Sequence, residues 1–184
     1  LSRQLTQSNG VATSTFAYNS GNLQLDTETI AYDLDTDGFI DFTRVLDRSQ
    51  DSLSRDSGWQ LGTVAQYNAG WIDGNDDPDS ENSVEYQYSA TDGRLESVTS
   101  RADTFTYAYQ PDSTNLLSTV TGPAHTVTNT WETDRDVLAT KTNALDASTV
   151  SSFSYSVNNI GQRTSVTTTG TAFSGGARDR DWGY

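Results

Sequence analysis

Polar and apolar side chains alternate along much of this chain. In Thr104-Phe105-Thr106-Tyr107-Ala108-Tyr109 and in Ser151-Ser152-Phe153-Ser154-Tyr155-Ser156-Val157, large apolar residues take every second place and small ones fill the gaps. A period of two predicts a strand with one face on an apolar surface, and few windows carry a helical apolar stripe. Four segments share a single plan of aromatic, short polar turn and second strand. They are Tyr86–Val98, Tyr107–Val120, Trp131–Lys141 and Phe153–Val166, and their marker aromatics Tyr88, Tyr109, Trp131 and Tyr155 stand 21, 22 and 24 residues apart. That period fits one hairpin per repeat. A lone hairpin cannot cover its own apolar face, so it must stack on its neighbours.

The first half carries a looser version. Residues 11–32 read as strands around a turn at Asn19-Ser20-Gly21-Asn22, and residues 33–41 as an Asp-rich loop. A strand is expected over 39–48, a polar turn over 49–57, and another strand over 58–67 with Trp59, Leu61 and Tyr67. Residues 73–83 read as an acidic loop insertion, residues 174–181 as a flexible segment, and residues 1–184 as one repeat region. The expected fold class is all-β, built of antiparallel hairpins in chain order.

Composition supports strands: Ser and Thr number 49 of 184 residues, and there is a single lysine, Lys141. The formal charge of −14, with 20 Asp against 5 Glu, argues against a nucleic-acid partner, since phosphate binding needs a basic face. It also disfavours a membrane surface, and no apolar run approaches a spanning length, so no membrane insertion is expected. With no cysteine there is no disulfide, thiolate metal site or Cys nucleophile. The chain lacks Met and ends in the aromatic Trp182-Gly183-Tyr184, which reads as an excerpt of a longer polypeptide.

The later segments resemble the RHS/YD-repeat family, whose repeat runs from an aromatic, usually Tyr-Asp, through a turn ending Gly-Arg into Leu and a β-branched strand. Tyr88 with Gly93-Arg94-Leu95 is the clearest copy; Tyr155 with Gly161-Gln162-Arg163, and Tyr32-Asp33 with Gly38-Phe39, are looser. The resemblance spans most of residues 12–184. It implies a long antiparallel sheet that spirals into a hollow shell, part of a secreted or cell-surface protein. Such a shell encloses or displays another segment, often a toxin, or serves as a rigid rod in adhesion. The remainder of a longer chain would then be the main partner. Some members of this class cleave themselves at an Asp-Pro-x-Gly signature. Here Asp77-Pro78 is followed by Asp79-Ser80, so no autoprotease residues carry over.

The strongest local motif is Asp33-Leu34-Asp35-Thr36-Asp37-Gly38-Phe39-Ile40-Asp41. Carboxylates at every second position, then a Gly and a further Asp, match a calcium loop. Asp33, Asp35 and Asp37 would converge on the ion, the Phe39 carbonyl would add a ligand, Asp41 would bind directly or through water, and Ile40 would anchor the loop to the sheet. A solvated turn in an Asp-rich protein is the competing reading. The alternating Asp73, Asn75, Asp77 and Asp79 lack the Gly and the apolar anchor. His125 is the one histidine, no Gly-x-Ser-x-Gly elbow is present, and no catalytic residue is assigned. The expected function is a non-catalytic scaffold. The alternative is a carbohydrate- or protein-binding β module whose exposed aromatics stack on glycans.

Overall fold

The computed structural model describes residues 3–68, 82–100, 103–111, 115–174 and 182–183. The expected loop at 73–83 and the expected flexible segment at 174–181 lie almost wholly outside them. The strands are β1 Thr6–Ser8, β2 Ala12–Tyr18, β3 Leu25–Tyr32, β4 Phe42–Gln50, β5 Asp56–Gly62, β6 Ser83–Tyr88 and β7 Leu95–Ser100. They continue as β8 Asp103–Tyr109, β9 Leu117–Thr121, β10 His125–Trp131, β11 Leu138–Leu145, β12 Ser148–Val157, β13 Arg163–Thr169 and β14 Trp182–Gly183. One helix, α1 Val64–Asn68, interrupts them, and no helix among the described residues is long and apolar enough to cross a membrane. The fold is all-β. Two compact units are formed, residues 1–87 with 98–103 and residues 88–97 with 104–184. Within each, hydrogen-bonded neighbours follow chain order.

In the first unit the β2–β3–β4–β5 register aligns Thr15, Thr29, Val45 and Gly62 in one row and Thr13, Ala31 and Thr43 in the next. That face is small and hydroxyl-rich. The opposite face carries Phe16, Ile30, Phe42, Leu46, Trp59 and Leu61. The helix α1 packs on β4, and Val45, 2% exposed, is the one buried hydrophobic residue among those described. Two sequence expectations need correction here. The strand expected from residue 39 begins at Phe42, because Asp33 to Asp41 close a loop first. The strand expected to continue to residue 67 stops at Gly62, and Tyr67 lies in α1. Thr63 and Gln66 form a reciprocal cap, with the Gln66 N–H donating to Thr63 Oγ1 at 3.2 Å and the Thr63 N–H donating to Gln66 Oε1 at 2.6 Å. A Thr-x-x-Gln cap favours helix locally over continued strand.

In the second unit the hairpins pair as the alternation predicts. Thr119, Thr128, Thr142, Ser152 and Thr169 stand side by side across β9 to β13. Their hydroxyls bond laterally, as in Thr142 with Ser152 at 2.9 Å, and Thr130 with Thr140 at 2.7 Å on the neighbouring row. The other face carries Tyr107, Val120 and Val127 in register, and Tyr155 opposite Val166.

The marker aromatics are half-buried, and two of them repeat one contact through their polar ends. Tyr109 Oη donates to the Leu95 carbonyl at 3.0 Å, and Trp131 Nε1 to the Leu117 carbonyl at 3.0 Å. Tyr18 Oη does the same to the Gln4 carbonyl at 2.9 Å, and each acceptor lies 14 residues upstream. One hairpin is thereby pinned to the start of the preceding strand. Arginines after the turns add ring contacts: Arg94 lies 4.7 Å from the Tyr109 ring centre and Arg163 4.0 Å from that of Tyr155. Arg94 also grips Asp92, and these side-chain bonds pull the Asp92 carboxyl down to about 2.

The turns share a device that residue names conceal. Their first residue accepts two backbone N–H groups on its side-chain oxygen: Asn19 from Gly21 and Asn22, Asp51 from Leu53 and Arg55, Ser89 from Thr91 and Asp92, and Asn158 from Ile160 and Gln162. Near its end each turn needs a left-handed residue. Gly93 and Gly161 fill that place at φ 73° and 82°, but Leu23 and Ser54 fill it at 67° and 61°. Leu23 is half exposed, so little packing would be lost with its side chain. Relief of about 1–2 kcal/mol of left-handed strain, less about 0.5–1 for the entropy of a new glycine, leaves Leu23→Gly stabilising by about 0.5–1 kcal/mol. Thermal melting should show a rise of roughly 1–4 °C.

Asp47 in β4 presents the opposite situation. Desolvation by burial, helped by the Asp26 charge, raises its pKa above the ordinary carboxylate value of 3.8. The folded state therefore holds this proton more tightly than the unfolded one. Stability from this site is fullest below the unfolded pKa and falls as pH rises through the folded pKa. Asp47→Asn should raise the melting temperature at pH 7, and the gain should shrink as pH is lowered toward 4. An equal gain at both pH values would assign the effect to packing.

Candidate metal centre

The loop 33–41 is closed at its base by sheet contacts. Tyr32 and Phe42 are register partners, and their rings stack with centroids 4.6 Å apart at 21°. The Asp41 N–H donates to the Tyr32 carbonyl at 2.8 Å, and the Asp33 N–H to the Val11 carbonyl at 2.8 Å. Two left-handed residues, Thr36 at φ 61° and Gly38 at φ 91°, let the backbone fold over within this short span.

The carboxylates bond back to the loop's own backbone. Asp33 Oδ2 accepts from the Gly38 N–H at 2.9 Å, Asp35 Oδ1 from Asp37 at 3.3 Å, and Asp37 Oδ1 from Phe39 at 2.8 Å. Ligand oxygens of Asp33, Asp35 and Asp37 lie within 4.8 Å of one another, the one such group among the described residues. The structure thus brings these three predicted residues together. Asp41 lies across the loop, where its Oδ2 accepts from the Leu34 N–H at 2.7 Å.

The donor set fits a hard cation. Three carboxylates with no nitrogen or sulfur favour calcium or magnesium over the transition metals. Asp33 Oδ1 is buried with no hydrogen-bond partner. A buried carboxylate oxygen without a partner is costly, and a cation among the three carboxylates would satisfy it. Calcium takes 6–8 oxygens, so the three carboxylates leave places for a carbonyl and for exogenous oxygens.

One part of the sequence reading is overturned. Ile40 does not anchor the loop: it is 55% exposed, beside Leu34 at 60%, Phe39 at 77% and Phe42 at 38%. His125 opens β10 and is exposed, with its carbonyl accepting from the Gly122 N–H.

No family model matches the chain, and no curated protein matches it. Solved structures similar to it include the following two. One is the Tc holotoxin pore of Photorhabdus luminescens, at 12% identity and a TM-score of 0.45, covering 93% of this chain and 11% of that one. The other is a crystal structure of TcdB2-TccC3-Cdc42, at 9% identity and a TM-score of 0.40, with the same coverage. At these identities the likeness is one of strand path, and no residue role passes to this chain. The chain spans about a tenth of the length of the chains it matches.

Proposed function

We propose that this chain is a non-catalytic stretch of β wall in a larger secreted or cell-surface protein, a single repeat region that encloses or displays another segment. The carrying observation is the near absence of a closed core: among the described residues of a 184-residue chain, Val45 is the sole buried hydrophobic. A self-contained domain of this length buries many. The pinning of Tyr18, Tyr109 and Trp131 to carbonyls 14 residues upstream supports the same reading, because it joins each hairpin to its neighbour. These aromatics are engaged in packing. The second reading, a glycan- or protein-binding module, therefore rests on other exposed rings such as Phe39 and Phe105.

Calcium at Asp33, Asp35 and Asp37, with the Phe39 carbonyl and Asp41 completing the loop, would be structural. It would neutralise a turn that concentrates negative charge.

A wall segment on its own exposes faces and edges that neighbours would cover. Its −14 charge holds copies apart at low salt. Size-exclusion chromatography should show a monomer at low salt and larger species once salt screens that charge. A sharply melting monomer at every salt concentration would favour the self-contained binding module.

A further inference from the structure

Asn9-Gly10 is the one Asn-Gly pair in the sequence, and it forms the exposed tip between β1 and β2. Asn9 Oδ1 accepts from the Val11 N–H at 3.0 Å and from the Ala12 N–H at 2.8 Å. The Gly10 N–H reaches Ser8 Oγ at 3.4 Å, a long contact, and Ser8 Oγ also accepts from Thr13 Oγ1 at 3.0 Å. Gly10 stands at φ 88° with nothing within 4 Å of a Cβ position, so no side chain crowds the tip. We propose that this tip is a self-modification site: Asn9 deamidates through a cyclic imide to aspartate and isoaspartate, and isoaspartate unlatches β1 from β2.

The turn holds each group that the reaction needs. The Gly10 nitrogen attacks Asn9 Cγ and closes the imide ring. The Cγ–Nδ2 bond breaks, and ammonia leaves with the proton that Gly10 has lost. Solvent water then opens one of the two imide carbonyls, giving aspartate or isoaspartate. Attack places negative charge on Oδ1, where two backbone N–H groups already point. Ser8 Oγ is the first acceptor for the Gly10 proton. Asn19 provides the internal comparison. It accepts the same pair of bonds, from Gly21 and Asn22, but it is half-buried and is followed by Ser20, whose side chain hinders attack.

The two products differ in what they do to the hairpin. Aspartate keeps both N–H bonds and leaves the turn as it is. Isoaspartate routes the main chain through Cγ and adds a methylene between the Asn9 N–H, which donates to the Ala12 carbonyl at 3.1 Å, and Gly10. The Ser8–Thr13 pairing beside the turn then loses its register. Strand β1 has three residues, all exposed, so little apolar burial opposes its release, and β2 becomes a free edge.

The test is incubation of the chain at mildly alkaline pH, followed by peptide mapping with mass spectrometry and enzymatic methylation of isoaspartate. Asn9 should lose its amide about tenfold faster than Asn19, with isoaspartate among the products. Gly10→Ala should slow the loss at Asn9 by about tenfold, and Ser8→Ala by about threefold. Amide exchange in β2 should quicken in the aged protein and stay unchanged in Asn9→Asp. If Asn9 keeps its amide in the native chain but reacts in urea, the fold shields the tip and the inference is overturned. Equal rates at Asn9 and Asn19, or an unchanged rate in Gly10→Ala, overturn it as well. An unchanged rate in Ser8→Ala removes that hydroxyl from the step. Isoaspartate without faster exchange in β2 overturns the unlatching and leaves the modification standing.

Discussion

Gly58→Ala and Gly170→Ala should each destabilise the protein by roughly 3–5 kcal/mol, lowering the melting temperature by about 10 °C or preventing folding. Two costs combine at each site. The backbone sits at φ 143° at Gly58 and 117° at Gly170, where a side chain is strained. A Cβ would also meet backbone: the Val84 carbonyl oxygen at 2.3 Å from position 58, and the Val150 carbonyl oxygen at 2.5 Å from position 170. Neither oxygen can move without disturbing the strand it belongs to. Gly10 separates the two costs, since it has φ 88° but nothing within 4 Å of a Cβ. Gly10→Ala should thus cost only about 1 kcal/mol. If all three variants melt alike, strand approach at Gly58 and Gly170 is not what constrains them.

These glycines also show where sequence reasoning stops. Alternation at Phe105, Tyr107 and Tyr109 marks strands because side-chain period is a local property. It places β8 to β13 closely, and the turn residues Asn158 and Gly161 punctuate them. A glycine inside Asp-Ser-Gly-Trp-Gln carries no local sign that a neighbouring strand will come within contact of its Cα, since that contact is tertiary. Leu23 and Ser54 mislead in the reverse direction. They take a left-handed place that the turn geometry imposes, against their own preference. Thr63 and Gln66 cap α1, yet the apolar spacing of Trp59, Leu61 and Tyr67 suggested continued strand over the same stretch.

At the Asp-rich loop the spacing of Asp33, Asp35 and Asp37 was informative because alternate side chains in a tight turn converge. The outward course of Leu34 and Ile40 was not legible. An apolar residue within a polar run reads equally well as an anchor or as an exposed tip. Here backbone N–H groups of Gly38, Phe39 and Leu34 bond the carboxylates to the loop itself, and Leu34 and Ile40 are left exposed.

Trp131→Ala should cost about 3 kcal/mol and Trp131→Phe about 1 kcal/mol, and the two should differ in where the loss is felt. The indole supplies half-buried area and one hydrogen bond to the Leu117 carbonyl. That carbonyl also accepts from Asn129 Nδ2 at 3.2 Å, so removing the indole N–H does not orphan it. Trp131→Phe thus reports the pin alone, while Trp131→Ala removes the wedge between β9 and β10. Leu117 is also the register partner of Tyr109, so Tyr109→Phe and Trp131→Phe share a neighbour. Their effects should couple by about 0.5 kcal/mol or more in a double-mutant cycle. In a stack of hairpins each repeat leans on the next, and loss of one pin loosens its own interface first. Amide exchange in Trp131→Ala should accelerate in β9 and β10 before β12 and β13. Uniform acceleration across all four strands would instead mean one cooperative core, and the reading of this chain as a serial wall of hairpins would fail with it.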